Sequence, residues 1–164
     1  MKAIGKKTWI LLGLFMLGIV VLDQASKALV VKYIPEFGRV RLIPGVVHLT
    51  YCRNTGAAFS MLSGMRWLFL VLVLVFFAAV WYLIRRGILN RPAELWCLAA
   101  VGGGALGNAV DRVLTGEVTD MIEVEFMSFA VFNVADCFIT CGAIALAIVL
   151  LFFDRHDEKV NSEE

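Results

Sequence analysis

The sequence is short of charge, and this shortage decides its class. Only 18% of the 164 residues are Asp, Glu, Lys or Arg, whereas 60% are hydrophobic and the mean hydropathy is +0.83. A soluble domain of this length carries more charge than this. The net charge of +1 leaves no strongly basic face, so nucleic acid is not predicted as a partner. A single integral membrane domain over residues 1–164 is predicted.

Several motifs of hydrolase and metal chemistry are missing. The sequence has no HExxH, no CxxC and no glycine-rich phosphate loop. His48 is the only histidine before the C-terminal tail, and no nucleophile elbow surrounds Ser60 or Ser63, which argues against a serine hydrolase. Cys137 and Cys141 lie four apart on one helix face, but no His or carboxylate pattern completes a metal site, so neither a metal nor an organic cofactor is predicted.

Long apolar runs are what the sequence does contain. Each run approaches the roughly 20 residues that a helix needs to cross a bilayer. Four membrane spans are predicted, followed by a hydrophilic cytoplasmic tail over residues 154–164; the spans are residues 8–22, 67–84, 94–110 and 135–153.

The start of the chain also fits a cleaved signal peptide, because Lys2, Lys6 and Lys7 precede the first run and "ASKA" (25–28) is rich in small residues. The apolar helical pattern resumes after that stretch, and cleavage would leave an odd number of spans. The three lysines and "RRGILNR" (85–91) favour the cytoplasm. Both termini are therefore assigned to the cytoplasmic side.

Two connections carry strand signals. "RVRLIPGVVHLTY" (39–51) predicts two short strands around a Pro-Gly turn, and "EVTDMIEVEF" (117–126) shows partial alternation. "SFAVFNV" (128–134) is rich in β-forming residues. The predicted fold is mainly α, with four transmembrane helices and a small extracytoplasmic sheet resting on the membrane surface.

The alternating topology places an unusual set of polar residues at one membrane face, and such a set is a candidate functional site. Its members are Asp23, Asn54, Asn108, Asp111, Arg112, Asp120, Asn133 and Asp136. The third span adds a small-residue face of Ala99, Gly103 and Gly107, which favours close helix packing.

Each polar residue also has an ordinary structural explanation. Asp23 and Lys27 are four apart and suit a simple helix pair, and Asp111 with Arg112 suits a charge pair at a helix end. Asn133 suits a helix N-cap with Asp136 in the first turn. Asp120 could stand on an exposed loop, and Glu117, Glu123 and Glu125 could be solvated.

With other nucleophiles disfavoured, a carboxylate pair is the chemistry that remains. Asp120 and Asp136 lie at opposite ends of one short connection that a β excursion could fold back on itself. Two close carboxylates share one proton, so that one member activates water while the other hydrogen-bonds the carbonyl under attack. This is the chemistry of an aspartic protease.

Five blocks in order resemble the lipoprotein signal peptidase family, also called signal peptidase II. They are "LDQASK" (22–27), "RNTGAAFS" (53–60), "GGALGNAVDR" (103–112), "VTDMIEV" (118–124) and "FNVADCFI" (132–139). The resemblance implies an endopeptidase that removes signal peptides from diacylglyceryl-modified prolipoproteins, cutting before the lipid-modified cysteine.

The same resemblance implies roles for individual residues. Asp120 and Asp136 match the catalytic pair, while Asp23, Lys27 and Asp111 match supporting positions. Positions that shape or line the active site are matched by Asn54, Gly56, Gly104, Asn108, Arg112, Asn133 and Ala135.

The resemblance also implies a setting: a bacterial cytoplasmic (inner) membrane, with the active site at its extracytoplasmic face. Membrane lipid and an inhibitor of the globomycin type are the other expected partners, and the protein is expected to be a monomer. Mobile segments of the first connection are expected to close over the bound peptide.

Two other classes remain as alternatives. Membrane carboxylates are typical of a proton-coupled transporter, but the sequence has no internal repeat and its polar residues stop at one surface. A non-enzymatic membrane scaffold would keep the small-residue face without needing both aspartates.

Overall fold

Four long helices dominate the computed structural model, which describes residues 4–57 and 61–161, with side chains described as far as residue 152. Lys2, Ser60 and the last three residues of the predicted tail lie outside the described residues. The helices are α1 (Lys6–Tyr33), α2 (Arg66–Arg85), α3 (Pro92–Leu114) and α4 (Val134–Asn161). Each contains a segment long and apolar enough to cross a membrane, and a helix satisfies its backbone hydrogen bonds without water.

The central helix is α3, which packs against α1, α2 and α4. Its glycine-rich side allows this close packing: Gly103 meets Ile19 and Met16 of α1, as its position on the small-residue face predicts. At the other end of the helix, Pro92 occupies the first turn and Glu94 accepts hydrogen bonds from the backbone of residues 90 and 91. By contrast, α2 buries none of its residues.

Three antiparallel strands form one sheet in the order β1 (Arg39–Ile43), β2 (Val47–Asn54) and β3 (Val118–Val124). The predicted Pro-Gly turn joins β1 to β2, and Gly45 takes a φ of +74°, which a residue with a side chain rarely adopts. The predicted β-rich stretch after β3 adds only an isolated bridge between Ile122 and Phe132.

The sheet combines strands from the first and third connections, so both connections lie at the same end of the helices. A cluster of Val30, Ile34, Tyr51 and Met121 fixes the sheet to the end of α1. The predicted mainly α membrane fold with a small sheet is therefore confirmed.

Candidate active site

Strand pairing brings the two predicted catalytic aspartates to one place. Asp120 lies in the middle of β3, and Asp136 lies in the first turn of α4. The chain between them folds back onto β3, where the carbonyl of Phe132 accepts hydrogen bonds from the backbone of Met121 (2.9 Å) and Ile122 (2.8 Å). This return places Asn133 directly between the two carboxylates.

Asn133 contacts both aspartates and is fully buried. Its side-chain Nδ2 donates to Asp120 Oδ1 at 2.7 Å, and its backbone N–H donates to Asp136 Oδ2 at 3.1 Å. In return, the backbone N–H of Asp136 donates to Asn133 Oδ1 at 3.0 Å. The predicted N-cap is confirmed, and its reciprocal form fixes Asp136 relative to Asp120.

Two more asparagines complete the hydrogen bonding of the carboxylates. Asn54 Nδ2 donates to Asp120 Oδ2 at 2.9 Å, and Asn108 Nδ2 donates to Asp136 Oδ1 at 2.7 Å. Each of the four carboxylate oxygens therefore accepts one N–H donor. Such donors stabilise ionised carboxylates without adding a charge.

The surroundings of Asp120 favour its protonated form at mildly acidic pH. The residue is only 3% exposed, and the pKa of Asp120 is raised to about 6, chiefly by this burial. The negative charge of Asp136 contributes to the raised pKa, while the amides of Asn54 and Asn133 oppose it. Asp120 is therefore able to hold or release a proton close to neutral pH.

Beneath the aspartates, Lys27 is buried in a network of ions. Its Nζ lies 2.7 Å from Asp23 Oδ2 and 2.9 Å from Asp111 Oδ2, and it donates to Asn108 Oδ1 at 3.0 Å. Asp23 Oδ1 also accepts from the backbone N–H of Ala135 at 3.0 Å. The predicted pair of Asp23 and Lys27 is present, but its contacts extend to α3 and α4.

Gly56 and Arg112 connect the end of β2 to α3. Gly56 N–H donates to Asn54 Oδ1 at 2.9 Å, and Arg112 Nη2 donates to the carbonyl of Gly56 at 2.9 Å. The guanidinium also lies 4.3 Å from the ring centroid of Phe69, a cation–π contact with α2. These contacts hold Asn54 in position against Asp120.

The predicted small residues let α4 approach α3 closely. A Cβ added at Gly104 would collide with the backbone carbonyl of Ala135 and with Ile139, and one added at Gly107 would lie 2.8 Å from Asp23 Oδ2. Ala135 is completely buried at this contact. Only glycine at position 104 leaves room for the start of α4.

A cavity of about 840 Å³ begins at the aspartates and continues between α2, α3 and α4. Its polar end holds Asn54, Asn108, Arg112, Asp120 and Asp136, whereas the rest of its wall is mainly apolar. The apolar wall includes Leu72, Val73, Phe76, Val101, Ala105 and Ile139. Such a cavity suits a long apolar ligand with one polar segment at the aspartates.

Two structural explanations offered by the sequence are wrong. Asp120 is buried in a strand and does not stand on an exposed loop. Asp111 pairs with Lys27 and accepts from Gln24 at 2.8 Å, while Arg112 donates to backbone carbonyls, so the two do not simply pair with each other. Glu123 forms an ion pair with Arg39.

The structure brings every predicted site residue into this region, and it adds two that the sequence analysis missed. Gln24 donates to Asp111, and Phe69 packs under Arg112. Gln24 could have been predicted, because it directly follows Asp23 in the first block of the resemblance. Nothing in the sequence points to Phe69, which lies in a continuous apolar run. Among the side chains that the structure describes, within residues 4–57 and 61–152, no group of three or more His, Cys, Asp or Glu is placed to hold a metal ion.

The family model and two similar curated proteins name the same family. Residues 15–152 match the family model described as signal peptidase (SPase) II. A lipoprotein signal peptidase of Streptococcus pyogenes serotype M2 is 46% identical over 147 residues, which are 88% of this chain and 94% of the relative. The corresponding protein of serotype M5 is 45% identical over the same length.

Solved structures agree with the sequence comparison. One described as a bacterial membrane enzyme superposes with a TM-score of 0.81 at 31% identity, covering 89% of this chain and 90% of its own. A second with the same description has a TM-score of 0.77, also at 31% identity, and covers 86% and 92%.

Proposed function

Because the chain belongs to the signal peptidase II family, we propose that it removes signal peptides from prolipoproteins by aspartic catalysis, with Asp120 and Asp136 as the catalytic pair. The observation that carries the proposal is that Asn133 donates a hydrogen bond to each carboxylate at the polar end of an apolar cavity. A substrate with an apolar helix or acyl chain and a polar scissile segment matches that cavity.

The mechanism follows from the sharing of one proton between the carboxylates. The ionised member takes a proton from a water molecule as that water attacks the scissile carbonyl. The protonated member donates a hydrogen bond to the carbonyl oxygen, where negative charge develops. The tetrahedral intermediate then collapses as a carboxyl group returns a proton to the leaving amine, and no covalent acyl-enzyme forms.

The substrate in this proposal is a diacylglyceryl-modified prolipoprotein, cut before its lipid-modified cysteine. A lipid anchor would hold the scissile bond at the depth where the helices meet the sheet, so the peptide need not leave the membrane surface. This placement fits an aspartate pair at the sheet end of the bundle. We place this end at the extracytoplasmic face of a bacterial cytoplasmic membrane and both termini on the cytoplasmic side.

The chain acts as a single peptidase domain and as a monomer, and it is inhibited by cyclic peptides of the globomycin type. We also propose that the first connection closes over the bound peptide; the contacts of Gly56 with Asn54 and Arg112 hold one end of this connection beside the aspartates.

A cleavage assay on the purified protein tests the proposal. Asp120→Asn and Asp136→Asn should each reduce cleavage of a diacylated lipobox peptide by at least about 10³-fold, because neither can complete the proton transfers. Glu117→Gln, a change of the same type at a partly exposed acid of the same connection, should cleave normally.

Near-normal cleavage by either aspartate variant would refute the catalytic pair. A proton-coupled transporter or a scaffold predicts no cleavage even by the unmodified protein, so the same assay separates those classes.

A further inference from the structure

Lys27 is a buried cation whose hydrogen-bonding capacity is fully used. An ammonium group has three N–H donors, and Lys27 Nζ has three acceptors within 3.0 Å, on Asp23, Asp111 and Asn108. The side chain is only 4% exposed. A purely structural ion pair with Asp23 would not need the third contact, the one with Asn108. Asn108 in turn donates to Asp136.

That third contact determines which way the Asn108 amide faces. Because an ammonium can only donate, the oxygen of the amide must face Lys27, and the nitrogen must then face Asp136. The distances agree: Asn108 Oδ1 accepts from Lys27 at 3.0 Å and from Asn133 Nδ2 at 3.0 Å, while Asn108 Nδ2 donates to Asp136 Oδ1 at 2.7 Å. Without the ammonium, Asn108 Oδ1 would keep only the neutral donor Asn133 Nδ2, so weaker contacts would hold the amide in this orientation.

A second connection from Lys27 leads to the backbone of α4. Asp23, held by Lys27, accepts from the N–H of Ala135, the residue directly before Asp136. The same ammonium therefore fixes both the helix turn that carries Asp136 and the amide that donates to its carboxylate.

The charge of Lys27 also reaches Asp120, whose pKa it lowers. Other titratable groups lie near the aspartates on α1, α3 and β2. Asp23 lies on α1 with Lys27, and Asp111 and Arg112 lie on α3; the Cys52 thiol of β2 is next to Asp120. Lys27 and Arg112 are the cations among these groups, and Arg112 makes its hydrogen bonds to backbone carbonyls.

We infer that Lys27 is a positioning residue for peptide hydrolysis, which orients the Asn108 amide towards Asp136 and supplies positive charge beneath the aspartates. This inference rests on the proposed function and deepens it. Lys27 acts on the chemical step and on its pH dependence. It has no contact with the apolar wall of the cavity, so binding of the substrate should change little.

Lys27→Met tests the inference, because Met has similar length and no charge. We expect kcat to fall roughly tenfold to hundredfold, as loss of a group that orients catalytic partners does, with KM within about threefold. The acidic limb of the pH–activity profile should move to higher pH by about half a unit to one unit, since a nearby cation no longer favours the ionised pair.

Asp111→Asn is the matched variant, since it removes an anion beside Lys27 and leaves Asn108 untouched. Its acidic limb should move to lower pH. A merely structural network would lower the yield of both variants without moving the two limbs in opposite directions. If the acidic limbs of the Lys27→Met and Asp111→Asn profiles coincide, the inference is wrong. A normal kcat for Lys27→Met would also overturn it.

Burial of Asp23 and Asp111 without their cation could prevent Lys27→Met from folding. The double variant Lys27→Met with Asp111→Asn removes one charge of each sign and keeps the test open. Its kcat should still fall at least about tenfold, because the amide of Asn108 is no longer held by an ammonium. A kcat within about twofold of the unmodified protein would contradict the inference.

The catalytic pair and the role of Lys27 can be refuted separately. Active Asp120→Asn and Asp136→Asn variants would refute the catalytic pair itself. If those variants are inactive while Lys27→Met keeps a normal kcat and an unmoved acidic limb, the pair stands and only the role of Lys27 falls.

Discussion

At the scale of the residue, the molecule keeps carboxylates where burial makes them costly. Asp120 is the clearest case, because its pKa of about 6 reflects burial that the two asparagine amides only partly offset. An acid that binds its proton more tightly in the folded protein stabilises that fold less once it ionises. The burial that raises the pKa of Asp120 is therefore expected to reduce stability at neutral pH.

The effect of this burial on stability depends on pH in a definite direction. The pKa of Asp120 is raised from 3.8 to about 6, so the free energy of unfolding should fall as pH rises through this interval and remain lower above it. The contribution is about 3 kcal/mol at most, because a change of one in the pKa corresponds to about 1.4 kcal/mol. Asp120→Asn, which cannot ionise, should lack this decrease.

Thermal unfolding in detergent measures the effect. The melting temperature of Asp120→Asn minus that of the unmodified protein should increase by a few degrees between about pH 4 and pH 7. Glu117→Gln serves as the reference for loss of an acid that is partly exposed. A difference that stays constant or shrinks over this range would contradict the assigned burial cost.

At the scale of the element, the site depends on how closely α3 and α4 approach. Gly104 faces the carbonyl of Ala135 and the side chain of Ile139, in the turn of α4 that carries Asp136. Asp120 belongs to β3, a separate element, so a displacement of α4 changes the distance between the two carboxylates. The proposed catalysis is therefore expected to be sensitive to helix spacing at Gly104, which does not line the cavity.

Gly104→Ala should accordingly reduce kcat by at least tenfold, since displacement by about 1 Å is enough to disturb a reacting geometry. Overpacking should also lower the melting temperature, by an amount that corresponds to about 1–3 kcal/mol. Cleavage kinetics and thermal unfolding measure the two effects.

Gly18→Ala is the control, because a Cβ at Gly18 meets nothing within 4 Å. It should leave cleavage unchanged and increase stability slightly, since alanine is the better helix former. Equal effects of the two substitutions would show that helix spacing at Gly104 is not what matters.

At the scale of the whole molecule, the arrangement of the helices leaves one side of the bundle open. No residue of α2 is buried, and the cavity lies between this helix, α3 and α4. An apolar substrate segment arriving through the lipid would complete the packing that α2 lacks. The incomplete bundle is thus part of the proposed function.

A bulky side chain placed in the cavity should hinder binding of that substrate. Thr140 lies on the cavity wall and is exposed, so Thr140→Trp adds bulk without disturbing the core. We expect KM for a diacylated peptide to increase about tenfold while the melting temperature stays within about 2 °C, because the indole excludes an apolar ligand from its site. Steady-state kinetics at several peptide concentrations separate KM from kcat.

Ile144→Trp provides the comparison, one helical turn further along α4 and outside the cavity wall. It should leave KM unchanged. If both tryptophans raise KM equally, the substrate does not occupy the cavity between α2, α3 and α4.

The membrane class, the four helices and the three strands were determined by the sequence alone, because each depends on residues close together in the chain; the β-rich stretch 128–134 formed only an isolated bridge. Apolar runs of membrane length must form helices in lipid, and the Pro-Gly pair must turn. The capping of α4 by Asn133 was predictable for the same reason, since its partner Asp136 is only three residues away.

Only the tertiary structure decided which distant side chains meet. That Asn133 reaches Asp120 depends on the register of β3 with the returning chain, and that Lys27 reaches Asn108 depends on the close packing of α1 against a glycine-lined α3. The burial that raises the pKa of Asp120 likewise results from all the surrounding elements together. Local patterns specify each helix and strand, but the chemistry of this site depends on distances that arise only when they pack.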